Sequence, residues 1–93
     1  MFVNALITKD LFFFAILFSI FMRGNFLYTK LGKRVCRARH KCRLTQEETA
    51  HRCGIDRTYL ARIEAGRVNP TIKVLFNISK VCGTKLMNLM RLL

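Results

Sequence analysis

The sequence predicts an all-α fold: a compact five-helix unit in residues 30–93, preceded by a hydrophobic segment, residues 1–29, that stands outside it. Three observations predict it. Helix start signals recur, at Thr45, Asp56, Thr71 and Thr84, and the glycines that follow helical patterns, Gly54, Gly66 and Gly83, supply stops. Apolar residues recur three and four apart, as one buried face of a helix requires. A chain of 93 residues allows one small domain with a modest core.

The first helix of the unit is expected over Leu31 to Lys41. Leu31, Val35, Ala38 and Cys42 give it a buried face, and Arg39 falls close to that stripe. Lys33, Arg34, Arg37 and Lys41 line the other side, either as phosphate contacts or as a solvated face. Gly24 to Lys30 shows no clear element, although Phe26, Leu27 and Tyr28 are apolar enough to pack on the domain edge. Cys42, Arg43 and Leu44 link to the second helix, Gln46 to about Cys53. There Thr45 and Glu48 have capping-box spacing, in which each satisfies an orphan amide of the other. Gly54 suits a left-handed exit, and Ile55 is an apolar plug in the turn.

Asp56 caps the third helix, Arg57 to about Ala65, and its carboxylate suits the positive end of the helix dipole. Leu60 and Ile63 share its buried face, which leaves Arg57, Thr58, Ala61 and Arg62 outside. Pro70 holds Asn69 extended, and Thr71 caps a fourth helix to Cys82 with Ile72, Leu75, Phe76, Ile78 and Val81 as core. Thr84 caps the last helix, through about Arg91. Its Leu86, Leu89 and Met90 point inward, while Met87, Leu92 and Leu93 form an exposed apolar patch suited to a two-fold contact.

A short helix with its first turn outward has a chemical use. An α-helix fits the major groove of B-form DNA, and side chains near its N-terminus reach base edges. Arg57 and Arg62 can offer paired donors to guanine, Thr58 one hydrogen bond, and the Ala61 methyl a contact to thymine. Gln46, Tyr59, Arg67, Asn69 and Thr71 lie where phosphates would flank such a helix, although the Gln46 amide can bond a base as well as a phosphate and Tyr59 suits packing against helix ends equally well.

These residues carry a resemblance. LGKRV at 31–35, Arg39, LTQEETA at 44–50, CGIDRTYLARIEAG at 53–66, NPT at 69–71 and the apolar run through Leu89 resemble the XRE or Cro-type helix-turn-helix family, the lambda-repressor-like DNA-binding domains. The resemblance covers about two thirds of the chain and implies a cytoplasmic, repressor-like transcriptional regulator that binds double-stranded DNA as a dimer. It implies a structural ion pair between Arg39 and Glu64, which would fix helix orientation more than add stability. Two positions depart from the family. Thr49 stands where it places a leucine, a loss of about 1–3 kcal/mol if nothing fills the space. Arg43 stands where a glycine is common, so that turn should carry some strain. Many antitoxins share this domain, so a toxin partner is the alternative to a stand-alone regulator that blocks or recruits polymerase.

Composition agrees with a polyanion partner. The net charge is +12, and residues 30–93 hold 15 basic and 4 acidic residues, about +11. No carboxylate pair, nucleophile–base set or phosphate-cradling glycine loop suggests an enzyme, and no cofactor is expected. Cysteines 36, 42, 53 and 82 and His40 and His51 lack zinc spacing. Cys53 and Cys82 read as core thiols, Cys36 and Cys42 as partly exposed.

Leu11 to Met22, LFFFAILFSIFM, is a separate matter. At twelve residues it is short for a span and lacks a small-residue cleavage site for a signal peptide. As a membrane segment, residues 11–22 would leave the basic domain on the cytoplasmic face of the inner membrane. Translation from Met22 would yield the domain behind a short leader, MRGNFLYTK, and is the reading the sequence favours.

Overall fold

The computed structural model describes residues 25–91, so the apolar run 11–22 and the C-terminal Leu92 and Leu93 lie outside the described residues. Five helices follow in order: α1 Asn25–Lys41, α2 Gln46–Cys53, α3 Arg57–Glu64, α4 Ile72–Val81 and α5 Leu86–Met90. Helix α1 packs on α3, α4 and α5, while α2 packs on α3 and α4, and α4 on α5.

The termini of α2 and α3 follow from their caps. The Glu48 amide donates to Thr45 Oγ1 at 3.0 Å and the Thr45 amide donates to Glu48 Oε1 at 2.9 Å, which closes the capping box. The bond from the Thr45 amide, with the Thr45 hydroxyl beside it, holds the Glu48 carboxyl below the usual carboxylate range. Asp56 accepts from the Thr58 amide at 2.9 Å, and Thr71 accepts from the Val74 amide at 3.2 Å. Helix α2 ends at Gly54, whose φ of 70° sets the chain toward α3.

The core consists of Leu31, Val35, Ala50, Cys53, Leu60, Ile63, Leu75, Ile78, Cys82 and Leu89. Full burial of each large aliphatic contributes about 1.5–3 kcal/mol. Burial also pushes the Cys82 thiol up to about 11, so it remains protonated and behaves as an apolar filler.

Four expectations need correction. Helix α1 begins at Asn25, six residues before Leu31, because the chain from Asn25 to Lys30 continues the helix against the loop after α3. Cys42 drops off the buried stripe because α1 ends at Lys41, and is exposed in keeping with its reading as a partly exposed thiol; its thiol donates to the Cys82 carbonyl. Ile72 and Phe76 are exposed at 58% and 47%, and Leu75, Ile78 and Ser79 face inward in their place. The last helix is capped at Lys85 without a side-chain bond and stops at Met90, while Thr84 accepts from the Asn88 amide group at 3.1 Å.

Thr49 is fully buried on the inner face of α2, and its hydroxyl has no hydrogen-bond partner. Arg43 has φ 59°, among the described residues the one non-glycine in the left-handed region. It occupies the exit of α1, where the Arg43 amide donates to His40 and the Leu44 amide donates to Arg39.

Candidate nucleic-acid interface

Helix α3 is eight residues, about 12 Å long, and divides cleanly. Leu60 and Ile63 are buried on one side; Arg57, Thr58 and Arg62 are exposed on the other, with Ala61 half-buried at the boundary. Tyr59 is half-buried and its ring packs against the core, so the aromatic body supports α3 from below. After α3 the chain turns at Gly66, and the Arg67 amide donates to the Arg62 carbonyl at 2.9 Å. Arg67, Asn69 and Thr71 are all exposed on the loop that follows. The structure therefore brings Arg57, Thr58, Arg62, Arg67, Asn69 and Thr71 to the surface around one helix.

What aims that helix is a buried polar cluster at its C-terminal end. Arg39 Nε donates to Glu64 Oε2 at 2.7 Å and Nη2 donates to Oε1 at 3.0 Å, a two-pronged pair. Arg39 Nη1 donates to the Leu44 carbonyl at 2.9 Å. Gln46 Nε2 donates to Glu64 Oε1 at 3.0 Å. Burial raises the Glu64 pKa, but the bonds from Arg39 and Gln46 outweigh it, so the carboxyl sits below its usual range. The same bond to Glu64 raises the Arg39 pKa.

The amide nitrogen of Gln46 thus donates one of its two N–H groups to Glu64, which ties the half-buried side chain to the end of α3. The sequence offered no way to see this, because the contact joins residues 18 apart. Gly32 is a further positioning residue, one that helical spacing alone does not single out. A Cβ there would meet the Glu64 carbonyl at 2.6 Å and the Ile63 carbonyl still closer, so only glycine lets α1 cross the end of α3. At Gly66, with φ +74°, a Cβ would meet Thr29 Cα at 2.7 Å.

The comparisons with known proteins accord with this geometry. Residues 37–88 match the helix-turn-helix family model HTH_3. The chain belongs to this helix-turn-helix family. It is 38% identical over 53 residues to an uncharacterized HTH-type transcriptional regulator of Sinorhizobium fredii, covering 57% of this chain and 69% of that protein. It is 36% identical over 53 residues to one from Archaeoglobus fulgidus, covering 57% of this chain and 75% of that protein. Among solved structures it resembles the restriction-modification controller protein C.AhdI from Aeromonas hydrophila, with a TM-score of 0.65 and 26% identity over 67% of this chain and 94% of that one. The fold is accordingly that of the XRE-type, lambda-repressor-like domains, and the family is one of DNA-binding transcriptional regulators.

Proposed function

We propose that this helix-turn-helix chain reads a specific sequence in double-stranded DNA and regulates transcription from it as a homodimer. The observation that carries the reading is the two-sidedness of α3, with Leu60 and Ile63 sunk in the core and Arg57, Thr58 and Arg62 exposed. Seated in the major groove, Arg57 and Arg62 present paired donors to guanine, Thr58 a hydrogen bond, and Ala61 its methyl. Arg67, Asn69, Thr71 and the Tyr59 hydroxyl meet the flanking phosphates and set register. Gln46 contributes by holding Glu64, and so the angle of α3, through its 3.0 Å bond.

In a dimer two such helices would lie about 34 Å apart, one turn of the duplex. Met87, exposed at 73% on α5, is the described member of the apolar patch that would close the two-fold contact. Likeness to a restriction-modification controller protein supports a regulatory role, with repression by occupancy of a promoter as its simplest form.

Selection of bound duplexes from a random pool tests this directly. The expected result is a two-fold symmetric site with half-sites about one turn apart. Recovery of no enriched sequence would overturn the reading. On the selected site, Arg57→Ala should cost about 1–3 kcal/mol and relax preference at one base pair. An equal loss on random duplex would reassign Arg57 to the phosphate backbone.

A further inference from the structure

Among the described residues, the outer face of α1 is a strongly charged feature that the DNA reading leaves unused. Lys30, Lys33, Arg34, Arg37 and Lys41 recur along it, and α1 contains no acidic residue. Lys33, Arg37 and Lys41 are exposed, and Lys30, Lys33, Arg34 and Arg37 line a recess of about 270 Å³. At about 100° per residue, the centre of this stripe lies about 150° around the helix from Gly32, the point where α1 meets the end of α3. The stripe therefore points away from the recognition helix. A duplex held by α3 would then lie on the other side of α1.

Phe26 falls on the same face. It is 42% exposed, with the Lys30 ammonium 5.3 Å from the ring centroid. From Phe26 to Lys41 the face is about 22 Å long, aromatic at its N-terminal end and cationic thereafter. The apolar sequence Leu11 to Met22 precedes that aromatic end by three residues. We propose that this face of α1 docks on an anionic phospholipid surface, with Phe26 at the headgroup boundary and the basic stripe on the lipid phosphates. Cations on one helix face with an aromatic residue among them match the chemistry of a charged lipid interface. A duplex backbone would satisfy the cations but give Phe26 no apolar layer. In this pose α3 faces away from the bilayer, so lipid and DNA occupy opposite sides of one domain.

The first arm of the test measures vesicle binding of the full chain without DNA, so it succeeds or fails independently of the DNA reading. Vesicles of phosphatidylglycerol with phosphatidylethanolamine are compared with phosphatidylcholine alone. The anionic vesicles should bind far more tightly, with affinity falling as salt rises. The triple variant Lys33→Gln/Arg37→Gln/Lys41→Gln spares Lys30 on Phe26 and the 2.9 Å bond from Arg34 to the Asn88 carbonyl. It should bind anionic vesicles on the order of 100-fold more weakly and keep its affinity for the selected duplex. Equal binding to neutral vesicles, no binding to anionic ones, or full retention by the variant would overturn the proposal. So would a matching loss on DNA, which would assign the stripe to nucleic acid. Should the variant melt before the assay temperature, the salt series on the wild-type chain decides: binding independent of salt refutes the stripe.

Discussion

Two polar groups are buried in the α2–α3 unit, and they have opposite fates. Glu64 receives Arg39 through two bonds and Gln46 through a third, so its charge is matched and its oxygens are occupied. Thr49, fully buried on α2, has no partner for its hydroxyl. Ser79, equally buried on α4, shows that the chain can solve this locally: its hydroxyl donates to the Phe76 carbonyl three residues back, at 2.6 Å. The contrast teaches that polarity in this core is tolerated where a bond can be closed. A closed cluster orients a helix, and an open hydroxyl costs about 1–3 kcal/mol with no such return.

Breaking the closed side should have the largest effect. Arg39→Ala leaves the Glu64 carboxylate buried without its countercharge and should destabilise by about 3–5 kcal/mol, enough to unfold much of so small a domain. The double change Arg39→Met/Glu64→Leu should recover most of that loss in chemical denaturation, since it removes both charges. It should still impair sequence discrimination if the pair sets the angle of α3. A double variant that binds its site normally would reduce the pair to packing.

Acid offers a gentler break of the same cluster. Burial raises the Glu64 pKa but the bonds from Arg39 and Gln46 lower it by more, so the folded carboxyl titrates below its unfolded value. The unfolded chain therefore takes up this proton first. The contribution of Glu64 is complete above the ordinary carboxylate range, near about pH 4.3, and is lost as pH falls through the folded value. Midpoint denaturant concentration should drop along that acid limb, and Glu64→Gln should flatten it.

Much of this unit could be read from local chemistry. Thr45 with Glu48, Asp56 before Arg57, and Gly54 and Gly66 after their helices act through neighbours within a few residues, so spacing reveals them. What sequence pattern could not reveal depends on distant contacts. Asn25 to Lys30 has no cap or stop signal, and its helix is held where Thr29 lies against Gly66. Ile72 and Phe76 are apolar and at helical spacing, yet α4 turns its Leu75–Ile78–Ser79 side to the core. Among the surface candidates, Arg57, Thr58 and Arg62 were legible because they sit opposite Leu60 and Ile63. The bond from Gln46 to Glu64 was not, because the two lie on different helices.

Closing the open side should give a smaller effect of opposite sign. Thr49→Val removes the unpartnered hydroxyl at nearly constant volume and should stabilise by about 1–3 kcal/mol. Thr49→Leu adds volume as well and separates the two causes. A gain for valine alone identifies the hydroxyl, while a gain for leucine alone identifies a void. No gain from either would mean that the site has lost nothing relative to an apolar residue.

The smallest effect lies in the turn that feeds the cluster. Arg43 sits at φ 59°, one residue before the Leu44 carbonyl that accepts from Arg39. Glycine relieves the steric cost of that conformation but also loosens the unfolded chain. The two oppose each other, and Arg43→Gly should still be a net gain of up to about 1 kcal/mol, because a long side chain in the left-handed region costs more than the added entropy. Combined with Arg39→Ala, the gain should shrink if the strain is sustained by the Arg39–Leu44 bond, which a double-mutant cycle in denaturant reads as a coupling. Strict additivity would place the strain in the backbone alone and remove the turn from the network that aims α3.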